Sequence, residues 1–384
     1  MLRGHKVKLL TTPKQEAYFG RACGVARFAF NWGLHQWQEQ YKAGMRPSAM
    51  ALKKEFNAIK KIEFPWATEV SKYAADTGFL NLDKAFKNFF SRRAKFPRFK
   101  SKHTAKLSFS AATKREFRVE GKRVKLPVVG WVCMAEGLRF DGHPFTVTVV
   151  READGWYASI LIETIQVLER RQDLGVVGVD LGITNFAVLS TGEKLPALKP
   201  LRAETARIYR LQRSFSRKAK GGKNRAKAKT KLALLHQRVA RVRNDALHKL
   251  STRLAADYSV VVAESLAVKN MVRNRRLARS ISDCGWAEFR RQLGYKLEMT
   301  GGELILADRF FASSKTCSEC GEKVGSLPLQ TREWSCQSCG SIHDRDVNAA
   351  INLRNLAAGS VVAAFGAAGS GVGGIACAKP AVLN

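Results

Sequence analysis

The chain has 384 residues, 45% of them hydrophobic, enough for two or three domains with cores of their own and too many for general disorder. Lys and Arg total 66 against 32 Asp and Glu, a net charge of +34. Without a polyanion such a surface repels itself, so nucleic acid is the favoured partner and a membrane is not.

The opening MLRGHKVKLL lacks the apolar core of a signal peptide. Its second half, His5–Leu10, predicts a short strand with Val7 and Leu9 on one face. Pro13 opens a helix in which Phe30, Leu34, Trp37 and Tyr41 recur at helical spacing, and Gly44 ends it. A second helix carries Leu52, Phe56 and Ile59 on one face; a third carries Leu82, Phe86, Phe89 and Phe90. These aromatics are expected to form a helix-bundle core. Lys84, Lys87, Arg92, Arg93, Lys95, Arg98 and Lys100 around them are expected to meet phosphate.

From about Leu107 to Thr164 short β-rich runs alternate with turns such as Asp141-Gly142 and Asp154-Gly155. The runs are Phe117–Glu120, Arg123–Leu126, Leu138–Phe140, Phe145–Val150 and Trp156–Glu163. They predict a small antiparallel barrel, joined by the N-terminal strand, with the helices as an insertion. Val176 to Ser190 reads as a hairpin that opens a new domain. Two amphipathic helices follow, broken at Gly221-Gly222. Between Arg202 and Lys249 sixteen Lys and Arg stand against Glu204 and Asp245. A face so short of acids is expected to contact phosphate, with Arg217, Lys218, Lys223 and Arg225 among its candidates.

Three carboxylates stand out. In Gly175–Gly182 a β-branched strand points Val177 and Val179 to a core and Asp180 the other way, with Gly178 and Gly182 clearing space. An acid in such a strand needs a ligand or partner. The valine run from Tyr258 ends on Glu264 and predicts a strand buried on both faces. In Asp344–Leu353 the acids sit at the start of a helix that Ala350, Leu353 and Leu356 can pack. Asp344 and Asp346 lie two apart, roughly 200° around a helix, so one face cannot hold both. Asp346 shares a face with Ala349, Ala350 and Leu353, and Asp344 is placed to cap the helix. Asp180, Glu264 and Asp346 together predict an oxygen-rich site for Mg²⁺ or Mn²⁺, suited to two-metal phosphodiester cleavage. The GSGVGG run near Gly369 neither follows a strand nor leads into a helix, and is weak evidence for a phosphate loop.

Four of the eight cysteines form Cys317-x-x-Cys320 and Cys336-x-x-Cys339, separated by fifteen residues, which is four-cysteine zinc spacing. Gly321 and Gly340 follow the pairs. Four protein thiolates leave no open position, so the Zn²⁺ is read as structural, and His343 as a substitute ligand is not needed. Val361 to Ala378 is apolar, mostly Gly, Ala, Ser and Val, and is expected to be a flexible tail rather than a membrane span.

The stretches GVDLGITNFAVLS, VVVAESL, SSKTCSECG, CQSCG and HDRDVNAAINL resemble the transposon-encoded TnpB proteins, as do FAFNWGL, LDKAFKNFF and FPRFKSK earlier in the chain. The resemblance runs in order over about residues 5 to 356. It implies an RNA-guided DNA endonuclease related to the compact type V CRISPR effectors. A guide RNA from the transposon end and a double-stranded target DNA are the implied partners, read beside a short target-adjacent motif. The family's three acids fall on Asp180, Glu264 and Asp346, and its zinc ligands on Cys317, Cys320, Cys336 and Cys339. The implied fold is multidomain, α+β and α/β: a wedge barrel (1–11 and 104–170) with an inserted helical recognition lobe (12–103), then an RNase H-like (RuvC) domain (171–311 and 344–358) interrupted by a four-cysteine ribbon (312–343), and a tail (359–384). Where many relatives carry a glutamine-rich helix, this chain has Lys72 to Gly78, so Lys72 and Tyr73 become candidates for the target-adjacent contact. The implied location is the cytoplasm, on the nucleoid when DNA is bound. A guided repressor that does not cut, and a transposase acting on transposon ends, are the alternatives; the intact acid triad favours the nuclease.

Overall fold

A computed structural model describes residues 2–113, 116–164, 174–328 and 330–366, and side chains through 357 in the last helix. The chain divides into two compact units, Met1–Val167 and Leu168–Asn384.

In the first unit, β1 (Leu2–Leu10) is followed by three helices, α1 (Pro13–Lys42), α2 (Ala49–Glu63) and α3 (Lys72–Phe90). Thr12 and Gln15 form a reciprocal capping box that spans Pro13, which is why α1 starts there. Six strands complete the unit: β2 (Ser108–Thr113), β3 (Arg118–Glu120), β4 (Arg123–Leu126), β5 (Gly130–Met134), β6 (His143–Glu152) and β7 (Gly155–Glu163). All seven strands form one antiparallel sheet in the order β2-β6-β7-β1-β5-β4-β3. β1 lies inside it, paired with β7 and β5, so the helices are an insertion between β1 and β2.

The sheet is not the closed barrel expected from the alternating runs: among the described residues β2 and β3 remain its two edges. The β2 edge is covered by a helix instead, since the Ser110 N–H donates to Thr77 Oγ1 of α3 at 2.8 Å. Leu138–Phe140 is not a strand either; it turns back so that Phe140 meets His5 and Arg3. Helices and sheet share a single core, with Phe19 of α1 against Phe109 of β2 and Trp156 of β7. α1 and α3 cross closely because Gly78 presents no side chain; a Cβ there would lie 2.7 Å from the Ala26 carbonyl oxygen. The predicted aromatic stripes are buried in their middles, at Phe30, Leu34, Leu82 and Phe86. They run past the packing at Tyr41 and Phe90, which are exposed.

The second unit is built on a five-stranded sheet in the order β10-β9-β8-β11-β12, with β8 (Val176–Leu181), β9 (Asn185–Leu189), β10 (Lys194–Pro196), β11 (Val260–Glu264) and β12 (Glu303–Ala307). β8 and β9 form the expected hairpin, and β11 runs parallel between β8 and β12, which explains its apolar run. α4 (Pro200–Ser216) and α5 (Lys223–Asp257) join β10 to β11. α6 (Val268–Met271), α7 (Ala278–Cys284) and α8 (Trp286–Met299) lead from β11 to β12. Val177, Val179, Val261 and Ala263 face one core with α5, α7 and α8. The other face of the sheet packs against α9 (Arg345–Gly366) through Val262, Ala307, Leu353 and Ala357. Between β12 and α9 lies a small two-stranded piece, β13 (Glu333–Ser335) and β14 (Ile342–Asp344). α9 continues into the stretch expected to be a tail; 367–384, with the GSGVGG run, lie outside the described residues. Among the described residues no helix is long and apolar enough to cross a membrane.

Candidate metal and nuclease site

Strand alternation decides where the first two acids point. On β8, Asp180 is two residues from Gly178; on β11, Glu264 is two residues from Val262. Gly178 and Val262 face α9, so Asp180 and Glu264 share that face. The parallel register pairs Val262 with Gly178 and Ala263 with Val179. One step further sets Glu264 abreast of Asp180, on strands roughly 4.8 Å apart. The sequence assigned the space at Gly178 to Asp180. It is taken by α9, since a Cβ at Gly178 would lie 1.8 Å from the Ala350 carbonyl oxygen.

α9 brings the third acid. Ala349, Ala350 and Leu353 are buried against the sheet, and Asp346 lies on the same side of the helix. Asp344 does something else: its Oδ1 accepts the backbone N–H groups of Asp346 (3.1 Å) and Val347 (3.0 Å), and its Oδ2 meets Lys194 Nζ at 2.5 Å. It caps the helix and stays out of the triad.

The three carboxylates interact. Burial, then the negative charges of Glu264 and Asp346, push the Asp180 carboxyl up to about 8, against the opposing pull of Arg345 and Arg332. An edge of the group is still reached by water. Burial also raises Glu264, whose Oε1 accepts a hydrogen bond from buried Ser313 at 3.0 Å. Arg332 sits 3.4 Å from Asp346. Ser313 opens the SSKTCSECG stretch but was given no role there, and Arg332 lies in no motif, so the sequence singled out neither as a site residue.

A raised carboxyl makes stability depend on pH. The folded chain holds the Asp180 proton more tightly than the unfolded chain, whose value is 3.8, so the contribution is complete below that value and lost as pH rises through about 8. In Mg²⁺-free buffer the melting temperature of the wild type should therefore fall, relative to Asp180→Asn, as pH is raised over this range. Parallel curves for the two proteins would contradict the buried, repelled carboxylate.

The cysteines meet as their spacing predicts. The four Sγ atoms lie within 4.8 Å of one another, with Cys317–Cys339 and Cys320–Cys336 both at 3.6 Å. A tetrahedron with bonds of about 2.3 Å has edges of about 3.8 Å, so the four thiols fit one metal ion. Each pair closes a matching knuckle: the Gly321 N–H donates to Cys317 O and the Gly340 N–H to Cys336 O, and both glycines take φ of +78°. His343 lies 3.0 Å from Cys317 Sγ and packs on Trp334, beside the four sulfurs. Asn348 and Asn352, one turn apart on α9, donate to the carbonyls of Ser313 and Thr316 and tie the helix to the start of the cysteine piece.

The expected nucleic-acid contacts divide. Lys84, Arg92, Arg93 and Arg98 are exposed; Lys87 is exposed and pairs with Asp83. Lys72 and Tyr73 both bind Glu116, on a helix start whose Ala74, Ala75 and Gly78 are buried. Lys100 turns inward, its ammonium 3.7 Å from the Phe30 ring centre. Arg217 and Lys223 are exposed and Lys218 half-buried, at the join of α4 and α5. Arg225 is spent on that join: its guanidinium donates to the carbonyls of Lys218 (2.7 Å) and Phe215 (3.0 Å) and lies over the Phe215 ring.

Three family models match this chain: a probable transposase, OrfB of IS605, over residues 159–275; a Cas12f1-like TNB domain over 286–353; and a helix-turn-helix domain over 1–46. The third stretch is here one strand and one unbroken helix. A Streptomyces pristinaespiralis protein named "Putative RNA-guided DNA endonuclease" is 40% identical over 375 residues, covering 95% of this chain and 91% of the relative. The chain belongs to the TnpB (OrfB of IS605) family. A second relative, "Putative RNA-guided DNA endonuclease InsQ" of Escherichia coli K12, is 33% identical over 385 residues, 95% of this chain and 94% of its own. A solved Cas12f1–sgRNA–target DNA complex has the same overall mixed α/β fold, with a TM-score of 0.58 at 15% identity over 90% of this TnpB chain and 83% of that one. The first two models take in Asp180 and Glu264, then the four cysteines and Asp346.

Proposed function

We propose that this TnpB protein is a transposon-encoded, RNA-guided DNA endonuclease that hydrolyses a phosphodiester at Asp180, Glu264 and Asp346. Relatives aligned along nearly their whole length are named as RNA-guided DNA endonucleases. The observation that carries the reading is three carboxylates from β8, β11 and α9 on one side of one sheet, with Asp180 pushed up to about 8 by burial first and then by the charges of Glu264 and Asp346. Carboxylates that repel one another in this way fit hard divalent cations, which prefer oxygen ligands and remove the repulsion. Bound there, Mg²⁺ or Mn²⁺ ions would activate the attacking water and stabilise the leaving oxygen. The chain's own residues prepare the ligands. Ser313 orients Glu264, Arg332 holds Asp346, and the Asp344 cap fixes the first turn of α9. The four cysteines are read as a structural Zn²⁺ site, because all four tetrahedral positions come from protein.

In this reading the second unit is an RNase H-like (RuvC) domain, 171–311 and 344–358, interrupted by a zinc ribbon at 312–343. The first unit supplies wedge strands (1–11 and 104–170) and recognition helices (12–103). Guide RNA and double-stranded target DNA are the partners, which the +34 charge of the chain suits. The test begins with the RNA that copurifies with the protein. Sequencing it gives the guide, and a plasmid library carrying its complement beside random flanks should be cut in Mg²⁺ only when that RNA is present. Cutting that ignores the guide, or binding without cutting in either metal, would overturn the proposal.

A further inference from the structure

Between α3 and β2 the chain runs without regular structure, yet it is held at both ends. The N–H groups of Arg93 and Ala94 donate to the Asn88 carbonyl. Phe96 packs edge-on against Phe86 and Phe89, and Pro97 is buried. The Asn31 side chain grips the Lys100 backbone twice, at 2.8 and 3.0 Å. From Ser91 to Lys102 this strap carries six cations and no acid. Among the described residues Arg92, Arg93, Lys95 and Arg98 have no ion-pair partner. Arg92 also holds a left-handed φ of 56° at the end of α3, where glycine would be cheaper. Flanking these charges, Phe90 is 67% and Phe99 55% exposed.

Cations alone would suit a phosphate backbone of any form. Exposed phenyl rings set among them suit something narrower, because a duplex hides its base faces and unpaired nucleotides offer them. RNA is the partner whose loops and guide segment are unpaired before any target is met. We propose that the strap is a stacking platform for unpaired nucleotides of the RNA bound by this chain, with Phe90 and Phe99 as the stacking rings. This rests on the RNA-guided reading above.

The test titrates the full-length chain with fluorescein-labelled single-stranded RNA, with an RNA duplex of equal length, and with single-stranded DNA. The Phe90→Ala, Phe99→Ala double variant should lose about tenfold or more in affinity for single-stranded RNA, with duplex binding and the salt slope unchanged. Replacing both rings by Trp should restore it. Arg93→Gln should weaken single strand and duplex alike and lower the salt slope by about one. Both rings are mostly exposed and Phe90 only rests on Phe86 and Phe89, so the melting temperature should fall by no more than a few degrees. As a check that needs no variant, ultraviolet cross-linking of the wild-type complex should join RNA to the segment 90–102. Equal losses on single strand and duplex, a loss confined to DNA, no loss at all, or no cross-link in this segment would each overturn the platform. A wild-type chain that binds no RNA would sink the RNA-guided reading instead.

Discussion

Asp346→Ala is expected to lower cleavage by at least about 10³-fold, since on the proposed function it removes a ligand of a metal site worth several kcal/mol to the transition state. Asp344→Ala, two residues away, should keep most of the activity. The two side chains have separate jobs. Asp346 lies on the side of α9 that Ala349, Ala350 and Leu353 bury against β8 and β11. Asp344 accepts two N–H groups of the first turn and an exposed lysine. Losing the cap costs about 1 kcal/mol. In a unit of this size that is about 2–4 °C in melting temperature. Asp344→Ser, which can still cap, should recover most of it. Guided DNA binding should survive in both alanine variants, because base pairing rather than the acids holds the target. An inactive Asp344→Ala beside an active Asp346→Ala would reverse the assignment.

The side to which Asp180 and Asp346 point could be read from the sequence because each position rests on a local rule. A strand alternates, so Asp180 had to oppose Val177 and Val179. A helix places positions three, four and seven apart together, so Asp346 had to join Ala349, Ala350 and Leu353. The cysteine spacing is local too. What was missed depends on partners. β12 is five residues, ELILA, recognisable as a strand only beside β11. β2 is the small, polar SFSAAT, and its outer edge is satisfied by Thr77 of a helix far back in the chain. Alternation marks a strand without naming its neighbour, so it suggested a barrel where the sheet stays open. Charge has the same limit. Arg225 and Lys100 count as cations with Arg93 and Arg98, yet one binds carbonyls of its own hairpin and the other covers Phe30. Asn348 and Asn352 left a faint signal: two poor helix formers four apart in an apolar helix, explained once their amides are seen holding Ser313 and Thr316.

Cys336→Ser should release about one zinc per chain and unfold the ribbon, because a structural zinc site contributes on the order of 10 kcal/mol or more to its own folding. The ribbon's own apolar core is too small to compensate: Trp334 is its one large buried apolar side chain among the described residues, helped by the partly buried Val324 and Leu327. The damage should reach the acids by three routes. Ser313, at the ribbon's start, holds Glu264. Arg332, beside β13, holds Asp346. β14 ends on Asp344, the cap of α9. Each is a positioning contact, and an acid displaced by about 1 Å costs roughly 10²-fold in rate. Cleavage in Cys336→Ser should therefore fall by about 10²-fold or more, with all three acids intact. Protease should newly cut between residues 312 and 343, while the first unit resists as in the wild type. The single substitution Ser313→Ala separates the routes: it should keep the zinc and the fold, and lose only the part of the rate that depends on how Glu264 is held. Metal analysis finding no zinc in the wild type would end this account, and so would a zinc-free Cys336→Ser variant that cuts at the wild-type rate.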